Sequence, residues 1–316
     1  SEEGITVPRQ LGMICSSDQL EGLLAEGDFP VMLKSLVLTG GRGKSGGIKR
    51  AETLEEAVKL ADQMLGNEIR GYVVEMLMIE EAVEQVGAAY AGVIMNPATY
   101  NNIIMASPAG GVDIEKVAAE DPAAIMRIEL NDNEEKLPEG AARRLTDFLI
   151  EGMETEEKDH NSIRNVIMNL YRIYQKYDCR IAEINPLILT PSEPVAADAK
   201  VVLDDNALFR QRGLFEMLGI GEVRHDVSEP TRNEVRARDA GFPYVDLLDE
   251  GYTRDPEKVY VGLVPGGAGY GIFSIDEVAN IGERFFDGRV VPVNFMDSGG
   301  GPSREQVAEM FHLLMD

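Results

Sequence analysis

At 316 residues, 44% of them hydrophobic, the chain exceeds one typical domain and has enough apolar content for two cores. Fifty-five acidic against 30 basic residues, a formal charge of −25, argue against wrapping a nucleic acid backbone. No run of about 18 uncharged apolar residues offers a membrane span, and Cys15 and Cys179 are too few for a disulfide framework and fit a reducing compartment. The acidic opening Ser1-Glu2-Glu3-Gly4 has no apolar stretch, so no secretory signal is expected. Cys179 precedes an apolar segment and reads as core.

Residues 31–38, Val-Met-Leu-Lys-Ser-Leu-Val-Leu, predict a strand that runs into a glycine-rich turn. From Leu54 to Leu65, Ala57, Val58, Leu60, Ala61, Met64 and Leu65 fall on one stripe at helical spacing. Strands are predicted at 71–79, 90–95 and 102–106, helices near 139–152 and 161–176, and strands again at 181–189 and 195–203. The polar, proline-bearing stretch from His225 to Pro230 reads as a domain boundary, giving domains of 1–228 and 229–316. The second begins with a helix at 231–240. A strand at 258–264 enters Gly266-Gly267-Ala268-Gly269, and a helix at 273–284, a strand at 290–295, another glycine turn and a helix from Ser303 follow. Strand, glycine turn and helix in repetition predict parallel βαβ packing. Two such units alone leave a long apolar edge, so this sheet is expected to be incomplete here or completed by another chain.

Three constellations carry chemistry. The first is Lys34 with Gly40-Gly41-Arg42-Gly43-Lys44-Ser45-Gly46-Gly47. Its glycines let backbone amides approach phosphate oxygens, and its cations offset polyphosphate charge. It is not a P-loop, because that pattern requires glycine where Leu38 stands. In the second, Ala182-Glu183-Ile184-Asn185-Pro186-Leu187 and Ala197-Asp198-Ala199-Lys200 occupy two predicted strands. If these are antiparallel neighbours, Asn185 and Asp198 present two oxygens to one small cation such as Mg²⁺. Glu183 shares the face of Asn185. In the third, Asn294-Phe295-Met296-Asp297-Ser298-Gly299-Gly300-Gly301 ends a strand before a helix that opens with a Ser303–Gln306 capping pattern, a potential anion site. The histidines, His160, His225 and His312, have no partners at metal-site spacing.

In this order, and over nearly the whole chain, these segments resemble the β subunit of succinyl-CoA synthetase. The likeness rests on 40–49, 105–118 (Met-Ala-Ser-Pro-Ala-Gly-Gly-Val-Asp-Ile-Glu-Lys-Val-Ala), 182–187, 204–210 (Asp-Asp-Asn-Ala-Leu-Phe-Arg) and 294–301. It implies an α/β chain with an ATP-grasp domain followed by a flavodoxin-like, doubly wound CoA-ligase domain. Relative to the family, about a dozen amino-terminal residues and the last carboxy-terminal strands are expected to be absent. The implied reaction uses ATP or GTP with Mg²⁺ to phosphorylate a histidine of an α subunit. The phosphate then passes to a dicarboxylic acid, and CoA displaces it.

Carried over by position, Lys34, Gly41, Arg42 and Gly43 meet the nucleotide phosphates, and Glu80 sits near the base. Asn185 and Asp198 hold Mg²⁺, Glu183 addresses the phosphohistidine, and the helix at Ser303 faces that group's charge. Two departures matter. Ala88 replaces a glutamate that helps hold the ribose. Gly266 replaces an asparagine that touches the acid, which leaves succinate, malate and citrate open, alongside a non-catalytic nucleotide-binding subunit. Cytoplasm and mitochondrial matrix both fit.

Overall fold

The computed structural model describes residues 3–37, 42–43, 45–69, 71–131, 134–151, 157–219, 230–248, 252–264 and 266–315, the side chains of 157–159 excepted. Gly40, Gly41, Lys44 and His225 therefore lie outside the described residues. The chain divides into two compact units. One comprises Ser1–Ser35, Gly46–Leu65 and Met76–Ser228, and the other Leu36–Ser45, Gly66–Glu75 and Glu229–Asp316.

The first unit holds two sheets. Strands β1 (Gln10–Ile14), β2 (Val31–Ser35), β3 (Ile48–Ala51) and β4 (Leu77–Glu81) form an antiparallel sheet in the order β1-β4-β2-β3. Helix α1 (Leu54–Met64) begins at Thr53, whose hydroxyl accepts from the Glu56 amide, and buries Ala57, Ala61 and Met64 of the predicted stripe. The second sheet contains β5 (Gly87–Met95), β6 (Asn102–Ser107), β7 (Met126–Leu130), β8 (Cys179–Leu189), β9 (Pro194–Ala196) and β10 (Ala199–Leu203). Its order is β9-β8-β5-β6-β7, with β10 pairing the other end of the same β8 edge. Helices α2 (Glu139–Ile150) and α3 (Glu157–Lys176) cover one face. Leu145, Leu149, Ile163, Ile167 and Tyr171 pack there against Ala89, Ala91, Val93, Ile104, Ala182 and Ile184.

Alternation in β5 and β8 explains the division of labour between faces. Ala182, Val93 and Ile104 stand opposite one another on three adjacent strands, all of them buried. The next row contains Lys200, Glu183, Gly92, Met105 and Arg127 across five strands. The sheet thus buries one row under the helices and carries charge on the next.

Several strand boundaries differ from expectation. The predicted 71–79 strand breaks after Val73: Tyr72–Val73 folds back on Glu68–Ile69 beside Gly71 at φ +82°, and β4 begins only at Leu77. The predicted 195–203 strand is interrupted at Ala197–Asp198, where the chain passes between two positions on the β8 edge. Strands β1, β3 and β7 had no clear sequence signal.

In the second unit, α4 (Arg232–Ala240), β11 (Tyr244–Asp246), β12 (Val259–Val261), α5 (Ala268–Phe286), β13 (Val290–Pro292), β14 (Asn294–Met296) and α6 (Arg304–Met315) follow in turn. Strands β12 and β13 are parallel with α5 between them in sequence, as the strand–glycine–helix pattern implies. The predicted 290–295 strand divides at Val293. Its N–H donates to the Val261 carbonyl and its carbonyl accepts from Leu247, so the chain moves from the parallel partner to an antiparallel one, β11. The expected capping pattern is present on α6: the Ser303 hydroxyl accepts from the Gln306 amide at 3.2 Å, and Gln306 Oε1 accepts from Ser303 N–H at 2.9 Å.

After α3, Asp178 receives both guanidinium arms of Arg210 at 2.8 Å and the Gln211 amide at 2.6 Å, tying the 204–211 segment to the start of β8. The Arg210 hydrogen bond, reinforced by Gln211, holds the Asp178 carboxyl below the usual carboxylate range. A depressed folded value stabilises above the ordinary aspartate pKa of about 3.9 and is lost as pH falls through the lower folded one. Arg210→Ala should therefore lower Tm at pH 7 slightly, as loss of one exposed ion pair. The difference from wild type should shrink as melts are repeated below about pH 4; a difference that grows on acidification would contradict the assignment.

Candidate functional site

The site begins with the edge of β8. The Asn185 N–H donates to the Asp198 carbonyl at 2.9 Å, and the Ala197 N–H to that of Pro186 at 3.1 Å. Glu183 stands opposite Lys200 in the same antiparallel ladder. The expected antiparallel neighbours are therefore present, with Glu183, Asn185 and Asp198 within a few residues of one crossover.

The Asn185 carboxamide is already committed in two directions. Its Oδ1 accepts from Gly111 N–H at 2.7 Å, and its Nδ2 donates to the Val112 carbonyl at 2.9 Å. This holds the Ser107–Asp113 loop against β8. Ser107 is fully buried and accepts from Ala109 N–H at 3.1 Å, while Gly110 N–H donates to the Ala88 carbonyl at 3.2 Å. A Cβ on Gly110 would lie 2.3 Å from the Ala89 carbonyl oxygen, so only glycine permits this approach. Gly111, at φ +73°, has the left-handed conformation that glycine accepts at no cost.

Lys34 enters from the other sheet. On β2 it pairs with Met78 of β4, and Met32 pairs with Glu80, so Lys34 and Glu80 are diagonal neighbours on one face. Both are buried, at 4% and 5% exposure. Their side chains form an ion pair, and Lys34 Nζ also donates to the Ala197 carbonyl at 2.6 Å. The cation expected at the nucleotide phosphates thus sits one residue from Asp198. The carboxylate expected near the base is the one that pairs with Lys34.

The Tyr90 ring, 1% exposed, lies beside this row with its hydroxyl donating to Glu183 Oε2 at 3.2 Å. Burial first, and Glu183 second, raise the phenol far above its ordinary pKa, so it keeps its proton. Arg42 is half-buried and Gly43 exposed, and both group with the second unit, as do Gly266 and Ser303. Among the described residues, a Cβ at Gly266 would meet nothing within 4 Å. Cys179 is buried and its thiol is pushed up to about 12 by desolvation, consistent with a core role.

Sequence reading missed Tyr90, Gly92, the Gly110–Gly111 turn and the Ala197 carbonyl. A Tyr-x-Gly spacing on a strand was the available signal for the first two. A main-chain carbonyl leaves none. Among the described residues no three His, Cys, Asp or Glu side chains cluster as a metal cage, and no helix is long and apolar enough to cross a membrane. The oxygen donors at the crossover still suit a hard cation that brings its own ligands: Mg²⁺ needs only one or two protein oxygens beside phosphates and water. A carboxamide oxygen that accepts one hydrogen bond retains a second lone pair.

Residues 1–189 match the ATP-grasp domain family. The succinate–CoA ligase [ADP-forming] subunit beta 2 of Archaeoglobus fulgidus is 35% identical over 318 aligned residues, covering 100% of this chain and 75% of that protein. The succinate–CoA ligase [GDP-forming] subunit beta of Thermus thermophilus is 38% identical over 286, covering 90% and 68%. Among solved structures, ATP citrate lyase from Methanothrix soehngenii superposes with a TM-score of 0.55 at 19% identity, covering 97% of this chain and 70% of that one. The dinucleotide-forming acetyl-coenzyme A synthetase 1 of Ca. Korarchaeum cryptofilum gives 0.52 at 21%, covering 64% and 88%. Those two likenesses concern the fold alone.

The buried pair makes a direct prediction. Glu80→Gln leaves the Lys34 ammonium without its counter-charge and should cost about 3 kcal/mol, read as a lower midpoint in urea. Replacing both, Lys34→Met with Glu80→Leu, should recover most of that loss. A Glu80→Gln protein as stable as wild type would refute the pairing.

Proposed function

We propose, for a chain that belongs to the family of succinate–CoA ligase β subunits and carries its ATP-grasp domain, the nucleotide-binding half of an acid–CoA ligase working with an α subunit. NTP, a dicarboxylic acid and CoA give acyl-CoA, NDP and phosphate, and the phosphoryl group travels through a histidine of the α subunit. Residues 1–228 bind the nucleotide, and 229–316 supply the amino-terminal part of a flavodoxin-like CoA-ligase domain. Succinate is the acid we favour. Two free cysteines suit a reducing setting, and we assign the chain to the cytoplasm.

The observation that carries this reading is the crossover at β8. Asn185 and Asp198 meet there through a 2.9 Å main-chain bond, Glu183 lies two residues away, and the Lys34 ammonium reaches the adjoining Ala197 carbonyl. An ammonium has three donors, enough for Glu80, Ala197 and a phosphate oxygen. Gly41, Arg42 and Gly43 are assigned to nucleotide phosphates because a cation beside glycine amides suits polyphosphate oxygens. Asn185 and Asp198 would hold Mg²⁺, which when bound offsets phosphate charge. Glu183 would orient and balance the cationic imidazole that receives the phosphoryl group. Glu80 acts here by holding Lys34, and from that position borders the nucleotide.

Gly266 bears on the acid. It has no side chain to touch an acid, and among the described residues a Cβ there would meet nothing within 4 Å. Malate and citrate therefore belong in the test beside succinate.

The experiment is co-expression with an α-like subunit, followed by CoA- and acid-dependent nucleotide hydrolysis with each acid. Turnover with one of them identifies the ligase and its substrate. Tight Mg²⁺–nucleotide binding without turnover on any acid would favour a regulatory subunit instead. In the active complex, Asp198→Ala should lower turnover by at least about 100-fold with an unchanged melt, on the scale of losing one charge-stabilising group. Wild-type activity of that variant at low Mg²⁺ would remove the metal assignment.

A further inference from the structure

We propose that Asn294 is a positioning residue for the acid: its buried carboxamide clamps the main chain of Leu263 and so fixes where the glycine turn at Gly266 leaves strand β12. This rests on the reading of Gly266 as the residue that faces the acid.

The clamp follows from register. Strands β12 and β13 pair in parallel, with Val259 opposite Val290, Tyr260 opposite Val291 and Val261 opposite Pro292. Carried onward, the same offset sets Leu263 opposite Asn294. By then the main chain has changed partners, and Asn294 pairs with Asp246 of β11. Its side chain takes over the abandoned position. The Leu263 N–H donates to Asn294 Oδ1 at 2.8 Å, and Asn294 Nδ2 donates to the Leu263 carbonyl at 2.9 Å. A carboxamide carries a donor and an acceptor in one plane, the same pair that a peptide unit offers, so it continues the ladder where the main chain has left it.

Asn294 is 0% exposed and shares its strand face with the equally buried Met296, where alternation calls for an apolar side chain. A buried amide is tolerated when it is bonded, and both of its polar atoms go to Leu263. Leucine would fill a similar volume without that requirement, so what the amide adds is its hold on the neighbouring chain. That chain is the carboxyl end of a parallel strand, the edge of an open α/β sheet at which ligands bind. Gly266 follows Leu263 by three residues, a reach of about 10 Å at most. Fixing both main-chain groups of Leu263 therefore confines Gly266, and with it Gly267, which precedes the first residue of α5. The two glycines have no side chains to anchor themselves, so their place depends on the strand end behind them.

The test uses the complex of this chain with its α-like subunit and the acid that it turns over. Asn294→Leu keeps the volume and deletes both hydrogen bonds. It should raise the KM for the acid about tenfold, the scale of one or two lost hydrogen bonds. The KM for Mg²⁺–nucleotide should stay within about twofold, because Lys34, Asn185 and Asp198 belong to the first unit and the clamp to the second. Gly266→Asn is measured beside it and should shift the KM for the acid by itself. In the wild-type complex the Leu263 amide, followed by hydrogen exchange and mass spectrometry, should exchange at least about 100-fold more slowly than in an unstructured peptide. That measurement needs no variant and stands even where Asn294→Leu fails to fold. A Leu263 amide that exchanges freely overturns the clamp. A wild-type KM for the acid in Asn294→Leu, beside a shifted one in Gly266→Asn, overturns the positioning role. So does a variant that only loses active protein with every KM unchanged, as a purely structural residue would. An unmoved KM in Gly266→Asn overturns the reading of Gly266, and this inference with it.

Discussion

Everything at this site depends on one buried ammonium. An isolated charge in a protein interior is prohibitive, and Lys34 is tolerated because two acceptors reach it: the Glu80 carboxylate from the neighbouring strand and the Ala197 carbonyl from the other sheet. The diagonal placement on β2 and β4 makes the first contact a consequence of strand register. The second ties the four-stranded sheet to the chain crossing beside Asp198. Fold and chemistry thus use the same group. The cation we assign to the polyphosphate is also a tie between the two sheets of the first unit.

The second sheet follows the same logic through alternation. Ala182, Val93 and Ile104 bury beneath α2 and α3, and one step along each strand Glu183, Gly92 and Met105 form the working row. A slip of one residue would exchange the two rows, sending Glu183 into the apolar core and exposing alanine and valine. The cost of that exchange keeps the carboxylate in place. Register, fixed by the apolar side chains buried under the helices, determines which face of the sheet Glu183 occupies.

Much of this was legible beforehand, for identifiable reasons. The long helices carry amphipathic stripes, the capping pair Ser303–Gln306 is local, and Glu183–Asn185 is adjacent in sequence to a turn that returns Asp198. What escaped notice is non-local or belongs to the main chain. Lys34 and Glu80 are far apart in sequence, so their pairing leaves no local pattern. The Ala197 carbonyl has no residue type to betray it. Strands β1, β3 and β7 are four or five residues long, with polar and glycine residues such as Gln10, Gly12, Lys49, Arg50 and Arg127, too brief for alternation to register. The split at Val293 was hidden because apolar β-formers continue on both sides of it. Only the hydrogen bonds to Val261 and Leu247 reveal that the chain changes partners there.

The geometry also explains why position 185 carries an amide rather than a second acid. Asparagine at this crossover accepts from Gly111 and donates to the Val112 carbonyl. Aspartate can do the first but has no hydrogen for the second, and its charge would face a carbonyl oxygen 2.9 Å away. The carboxamide therefore pins the glycine turn, and its oxygen retains a second lone pair that the proposed cation would use; of the two proposed ligands only Asp198 carries formal charge. In a chain of net charge −25, that economy matters. On the proposed reading, one carboxylate less would repel a polyphosphate less, and the loop that lies close over β5 is held by the same side chain that we assign to Mg²⁺.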